Sequence, residues 1–258
     1  MSKAVDFKCN LCGNNKAKQI PFRYEFKGRY LWLYECNACK LRSIWPQPNS
    51  HEIAEMYAAN YFTEADSATH HMNTDYLALL NSGNYADGVA YMQTYTTGGN
   101  ILEIGCATGN FLYALKQAGY SVKGIELSDF AVQYAKEHFN ISLINRPFDE
   151  ELLGKEIFPK EFDVVVIGDV LEHFTNPTAA MRLVQTILKP GGVAIIHLPG
   201  TLNLISSKIA FLVYRLIGSQ KTMHIPPYHL TEFNEKTIRK MCAVAGFSKV
   251  IVKIRQPG

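Results

Sequence analysis

The sequence lacks any apolar run long enough to span a bilayer. Its most apolar stretch, Leu202 to Ile217, is short and is broken by Lys208 and Arg215. The N-terminus, Met1-Ser2-Lys3-Ala4-Val5, has no apolar core of the kind a secretory leader needs, so a cytoplasmic protein is expected. Internal repeats and low-complexity tracts are also missing, which sets aside solenoids and tethered arrays. Charged residues are few, 19% against 47% hydrophobic, and that balance is too apolar for disorder. The 258 residues suit one large α/β domain with a small module attached.

The formal charge of +3 conceals an uneven distribution. Residues 1–48 hold nine Lys and Arg against three Asp and Glu, whereas the rest is mildly acidic. The basic segment also holds four of the six cysteines, as Cys9-x2-Cys12 and Cys36-x2-Cys39 separated by 23 residues. Two close pairs in a chain without a leader point to a metal and not to disulfides. Four thiolates make a closed tetrahedral set, which reads as structural zinc. A module of this size buries little core, so the metal supplies much of its folding energy. Tyr30-Leu31-Trp32-Leu33-Tyr34 has strand character, with Tyr30, Trp32 and Tyr34 on one face. The basic, aromatic surface suits nucleic acid in principle, but packing of the aromatics onto the body of the protein is the preferred reading. A third role is closure over an anionic small substrate.

Residues 49–99 form a helical cap or linker: Ser50 is placed to cap a helix over His51–Tyr57, and a second helical stretch runs from Asp75 to Tyr95, interrupted near Gly83. From Asn100 to Gly258 apolar runs alternate with helical patterns. Strands are expected at Asn100–Ile104, Ser121–Ile125, Ile141–Ile144, Phe162–Ile167, Val193–Leu198 and Lys249–Ile254. Helices are expected to begin near Gly109, Ser128, Asn176 and Asn234. This alternation predicts a doubly wound, mostly parallel α/β sheet, with its ligand at the carboxyl ends of the first strands. Residues 201–230 read as an inserted lid whose apolar helix covers a substrate pocket or a second copy of the chain.

The run Ile101-Leu102-Glu103-Ile104-Gly105-Cys106-Ala107-Thr108-Gly109-Asn110 passes from a buried strand into a helix. A dinucleotide fingerprint would place glycines at 105, 107 and 110, and Ala107 and Asn110 argue against it. Glu103 at the strand end can receive a cationic amine. Glu126, at the end of the second strand, can accept ribose hydroxyls.

With these residues the chain resembles the class I S-adenosylmethionine (SAM)-dependent methyltransferases. Glu103, Gly105 and Gly109 match the family's first motif, with Ala107 in place of its middle glycine. The likeness continues through Phe162-Asp163-Val164-Val165-Val166, then Asp169-Val170-Leu171-Glu172-His173-Phe174-Thr175-Asn176-Pro177. It extends to Leu188-Lys189-Pro190-Gly191-Gly192 and His229-Leu230-Thr231-Glu232-Phe233. The resemblance implies a Rossmann-like fold and SAM as cofactor. It places Gly105, Cys106, Ala107, Thr108 and Gly109 around the methionine portion, and Glu126 and Leu127 at the ribose. Asp149 or its neighbour Phe148 would lie beside the adenine, while Gly168, Asp169 and Val170 would floor the methionine end. A methyltransferase subgroup with such a ribbon includes enzymes acting on sugars and natural products.

An oxygen nucleophile needs a proton acceptor, and histidine suits the task. His173 follows the fourth strand, and His229 lies where the family builds its substrate wall. The Asn/Asp-Pro-Pro-Tyr/Phe motif of base amino-methylating enzymes is absent after the fourth strand, which disfavours that reaction. The expectation is therefore a methyltransferase acting on a small molecule, through O-methylation of a sugar or natural-product type acceptor. The alternatives are an RNA methyltransferase docking through the basic ribbon and a non-catalytic SAM-binding scaffold. The resemblance implies a closing antiparallel hairpin after the helix at Glu235–Ala245, of which the sequence holds Lys249–Arg255; an uncovered sheet edge there would invite pairing with a second chain, a homodimer.

Overall fold

The structure is a computed structural model and describes residues 7–57, 78, 83, 85–199 and 205–254. Its strands are β1 (Ala17–Phe26), β2 (Arg29–Cys36), β3 (Arg42–Trp45), β4 (Asn100–Ile104), β5 (Ser121–Ile125), β6 (Phe162–Gly168), β7 (Leu188–His197), β8 (Lys221–Met223) and β9 (Thr231–Glu232). Its helices are α1 (Ser50–Met56), α2 (Ala86–Gln93), α3 (Asn110–Gln117), α4 (Asp129–Phe139), α5 (Pro177–Ile187), α6 (Ile205–Leu216) and α7 (Glu235–Ala245). The chain divides into two compact units, one of residues 1–48, 171–185 and 198–258, the other of residues 49–170 and 186–197.

The first unit is built on a five-stranded sheet in the order β8-β1-β2-β3-β9. Lys27 and Gly28, both at positive φ, make the tight turn that joins β1 to β2, and Phe26 pairs with Arg29 across it. Alternation then sorts the side chains by face. Ile20, Phe22 and Tyr24 of β1 join Leu31 and Leu33 of β2 and Ile44 of β3 in one buried cluster. On the other face Arg23 lies 3.5 Å over the Tyr30 ring and 4.9 Å from Trp32, so these aromatics carry a cation–π stack of the protein's own. The two edges of the sheet come from far along the chain. β8 runs parallel to β1, and β9 runs antiparallel to β3.

The second unit holds a four-stranded, fully parallel sheet in the order β5-β4-β6-β7. β4 and β6 lie at its centre, where the order of connection reverses and such sheets bind ligands. Met92 of α2, Leu115 of α3, Tyr120, Ile101, Val164 and Val166 form one core cluster. Cys106, Leu112, Phe139 and Ile141 form another.

Several expected elements differ. Ile141–Ile144 is no strand: Asn140 turns left-handed after α4, the Ile141 amide returns to Ala135, and only Ile144 bridges to β5. No strand forms over the described residues 249–254, where Arg239 of α7 donates to the Val250 carbonyl. β7 begins at Leu188, five residues before the expected start, and Lys189 anchors it through a 2.7 Å ion pair to Asp163. Helix α1 is capped by Asn49 and not by Ser50. Asn49 accepts from the Glu52 amide while the Glu52 carboxylate accepts from the Asn49 amide, a reciprocal capping box. The stretch from Asp75 is helical over Ala86–Gln93, and much of its first half lies outside the described residues.

Candidate active site

The turn after β4 is shaped by three alternate left-handed positions, Gly105 (φ 69°), Ala107 (φ 47°) and Gly109 (φ 79°). A side chain at Gly105 would stand 2.4 Å from Cγ2 of Val170, so glycine is required by space as well as by φ. Gly109 serves packing against α4: a Cβ there would lie 3.2 Å from Ala135. Ala107 keeps the conformation that glycine favours, with a methyl group added.

Glu126 ties the ends of β4 and β5 together. One carboxylate oxygen accepts from the Ala107 amide at 2.9 Å, the other from Leu127 at 2.7 Å and Ser128 at 2.9 Å. A carboxylate has about four acceptor positions, so one remains for a hydroxyl. Burial pushes the Glu126 pKa up, and the three amides oppose this. Glu103 is placed differently. One of its oxygens is buried with no hydrogen-bond partner, and burial together with the charge of Glu126 pushes its pKa up to about 8. A buried carboxyl oxygen lacking a partner fits an incoming cation.

The other expected cofactor residues lie in the same unit. Cys106 is buried with its thiol pKa pushed up by burial, which makes it a packing residue and no nucleophile. Thr108 is buried and donates to Asn110 at 3.0 Å. Leu127, 38% exposed, offers an apolar ledge beside Glu126. Phe148 is buried, whereas Asp149 uses its carboxylate to cap the short turn Glu150–Leu152. Gly168 closes β6 opposite His197, and Asp169 follows at φ 52°. These residues fit SAM: a left-handed turn open to close approach, an acid for an amine and an acid for a hydroxyl.

Sequence reasoning missed His197. Its Nδ1 lies 2.9 Å from both carboxylate oxygens of Asp169, and the Asp169 amide donates to the His197 carbonyl. The two residues are 28 positions apart, and only the parallel pairing of β6 with β7 joins them.

In the ribbon unit the four cysteines converge, all four sulfurs lying within 4.8 Å of one another. Cys9 and Cys39 are 3.4 Å apart and Cys12 and Cys36 are 3.6 Å apart, with every cysteine free of disulfide. Tetrahedral zinc, with bonds of about 2.3 Å to sulfur, sets the sulfurs roughly 3.8 Å apart, so the donor set fits structural zinc. Each Cys-x2-Cys pair is followed by a left-handed residue, Gly13 in one case and Lys40 in the other.

The same unit assembles a second group. Glu172 has its carboxylate 3.7 Å from His173 and 4.0 Å from His229, and His229 presents its other ring nitrogen to Glu232 at 3.8 Å. The ligand atoms of Glu172, His173 and His229 lie within 4.8 Å of one another and could hold a divalent cation. Backbone bonds fasten the group to the ribbon sheet: Ile44 of β3 donates to Leu230, and the Leu230 amide donates to Glu172. Asn10, beside Cys9, donates to the Thr175 carbonyl. Burial, with the neighbouring His229, lowers the His173 pKa to about 3, leaving it a neutral and weak base.

Residues 76–252, well over half the chain, match the family model described as a methyltransferase domain. The chain belongs to the methyltransferase domain family. Among curated relatives, a ubiquinone biosynthesis O-methyltransferase of Stutzerimonas stutzeri is 28% identical over 141 residues, 54% of this chain and 58% of the relative. One of Thiobacillus denitrificans is 34% identical over 99 residues, 37% of this chain and 42% of the relative. The chain thus spans about half the length of the curated relatives it matches. A solved structure of a SAM-dependent methyltransferase from Archaeoglobus fulgidus is 19% identical, with a TM-score of 0.46, covering 67% of this chain and 74% of that one. Within this methyltransferase domain the glycine turn, Glu103 and Glu126 lie at the carboxyl ends of β4 and β5. No helix of the described residues is long and apolar enough to cross a membrane.

Proposed function

We propose that the protein transfers a methyl group from SAM to a hydroxyl oxygen of a small molecule. The observation that carries this reading is the pair of acids at the glycine turn: Glu103, with a buried oxygen lacking a partner, and Glu126, locked onto the turn's own amide. A bare turn requires neither. The printed names of the curated relatives, O-methyltransferases, support oxygen as the accepting atom.

Glu103 receives the cationic amine, and residues 105–109 follow the methionine portion with their backbone. Glu126 accepts a ribose hydroxyl, with Leu127 beside it. Phe148 and Asp149 border the adenine, and Gly168, Asp169 and Val170 form the floor. When bound, the cofactor supplies a methyl on a positively charged sulfur, which keeps the bond electrons and leaves as a neutral thioether. The acceptor hydroxyl must also lose its proton. His229, a third exposed and flanked by Glu172 and Glu232, suits this role better than His173, whose burial makes it a weak base. Cys9, Cys12, Cys36 and Cys39 hold zinc that shapes the ribbon and takes no part in the chemistry. We place the protein in the cytoplasm. The exposed apolar face of α6, with Ile209, Leu212 and Leu216 all more than half exposed, supports a homodimer.

Calorimetry with SAM and with its demethylated product tests the cofactor site, and labelled-methyl transfer to hydroxylated metabolites tests the reaction. Glu126→Ala is expected to weaken SAM binding about tenfold or more, since a charged hydrogen-bond acceptor and a tie within the turn are lost together. No heat from either compound with the wild type would end this reading.

A further inference from the structure

The ribbon unit contains a cavity of about 400 Å³, a size suited to a single ring with its substituents. Its walls are aromatic and apolar: Phe22 and Tyr24 from β1, Met223 from β8, Phe211 and Tyr214 from α6. The wall rings brace one another edge to face. Phe22 meets Tyr24 at 5.3 Å with planes at 83° and Phe211 at 6.2 Å with planes at 76°. Such a box offers ring faces and edges to a flat guest and loses little side-chain freedom when it is filled.

Polar side chains also line the cavity: His229, Glu232, Lys221 and Ser207. His229 stands between two carboxylates, with Nδ1 at 3.8 Å from Glu232 and Nε2 at 4.0 Å from Glu172. Imidazole nitrogens can donate to or accept from a ligand hydroxyl. The Tyr24 phenol is buried near the charge of Glu232, and both effects push its pKa up and keep it neutral. Lys221, on the edge strand β8, is exposed and supplies a positive charge.

We infer that this cavity is a binding site for a hydroxylated aromatic ring, with a ring hydroxyl toward His229 and an acidic substituent toward Lys221. The inference rests on the methyl-transfer reading for its consequence, that this ring is the methyl acceptor. It gives the ribbon a task beyond stability, since β1 and the strand paired to it supply part of the wall. It also accounts for the inward-facing aromatics of β1 without recourse to nucleic acid.

The test uses the full, zinc-loaded chain saturated with the demethylated cofactor product and titrated calorimetrically with 3,4-dihydroxybenzoate. Shikimate serves as a control of similar size, carrying hydroxyls and a carboxylate on a ring that is not aromatic. The expected result is binding of the benzoate at least tenfold tighter than of shikimate. Tyr214→Ala is expected to raise the benzoate Kd about tenfold. Lys221→Glu should weaken benzoate but leave catechol, which lacks the carboxylate, within twofold. Both variants should keep the wild-type thermal midpoint and cofactor affinity, so a folding defect would be visible separately. Absence of benzoate binding, equal binding of shikimate, or indifference to Tyr214→Ala in a folded protein overturns the site. The two readings separate as well. Benzoate binding that depends on Tyr214 without methylation upholds the cavity and removes methyl transfer to it, whereas methylation indifferent to Tyr214 keeps the reaction and removes the cavity.

Discussion

Glu103 carries a carboxyl that burial and Glu126 together hold protonated up to about pH 8. Below the ordinary carboxyl pKa of about 4.5, folded and unfolded chains both keep the proton, and the stability this group contributes is fully present. As pH rises the unfolded chain ionises first, so that contribution shrinks until about pH 8 and is constant above it. Cofactor binding takes the opposite course, because a cationic amine needs the ionised acid. SAM affinity is expected to climb toward pH 8, by up to about tenfold per unit, and to turn down above roughly that pH as the free amine loses its own proton. Glu103→Gln should flatten the acid limb, lower affinity at pH 8 on the order of tenfold to a hundredfold, and raise the melting midpoint at pH 8 relative to wild type. A wild-type binding curve that is level from pH 6 to 8 would remove Glu103 from the amine site. Glu103 and Glu126 were legible in the sequence because each sits at the end of a readable strand. His197 was not, since its partner Asp169 is brought to it only by strand pairing, and no spacing rule connects them.

At the scale of elements, the parallel core strands were legible because continuous apolar runs bounded by turn residues leave few alternatives. The edge strands of the ribbon sheet were not. β8 has three residues and β9 two, too short to show a period, and both lie far in sequence from the strands they pair with. Ile141–Ile144 shows the converse, an apolar run that reads as a strand yet makes a single bridge because Asn140 redirects the backbone. The starts of α1, α3, α4, α5 and α7 lie within a residue of their expected positions, but the cap of α1 is Asn49 and not Ser50: both are good cap residues, and only the reciprocal bonds with Glu52 decide between them. This assignment predicts that Asn49→Ala destabilises the protein by about 1 kcal/mol, while Ser50→Ala changes stability by a few tenths. Urea unfolding of the two variants checks it, and equal losses would return the cap to Ser50.

At the scale of the molecule, the chain carries two separate cores that depend on different things. The parallel sheet of the second unit rests on apolar clusters gathered around β4 and β6. The ribbon unit rests in part on four cysteines, and through the bonds from Ile44 to Leu230 and from Leu230 to Glu172 it also holds His229 in place. The basic ribbon was visible as two cysteine pairs, but nothing in its first 48 residues showed that a histidine nearly two hundred positions away is fastened to it. Removal of zinc should therefore split the protein's properties. With a strong chelator, SAM binding measured by calorimetry is expected to stay within about threefold of the holoprotein, because the cofactor residues belong to the other core. Methyl transfer should fall at least a hundredfold as the segment bearing His229 loses its scaffold, since metal binding and folding are coupled in modules this small. Readdition of zinc under reducing conditions should restore transfer in the same preparation. If chelation abolished SAM binding in step with transfer, the two cores would not be independent, and the ribbon would have to be counted as part of the cofactor site.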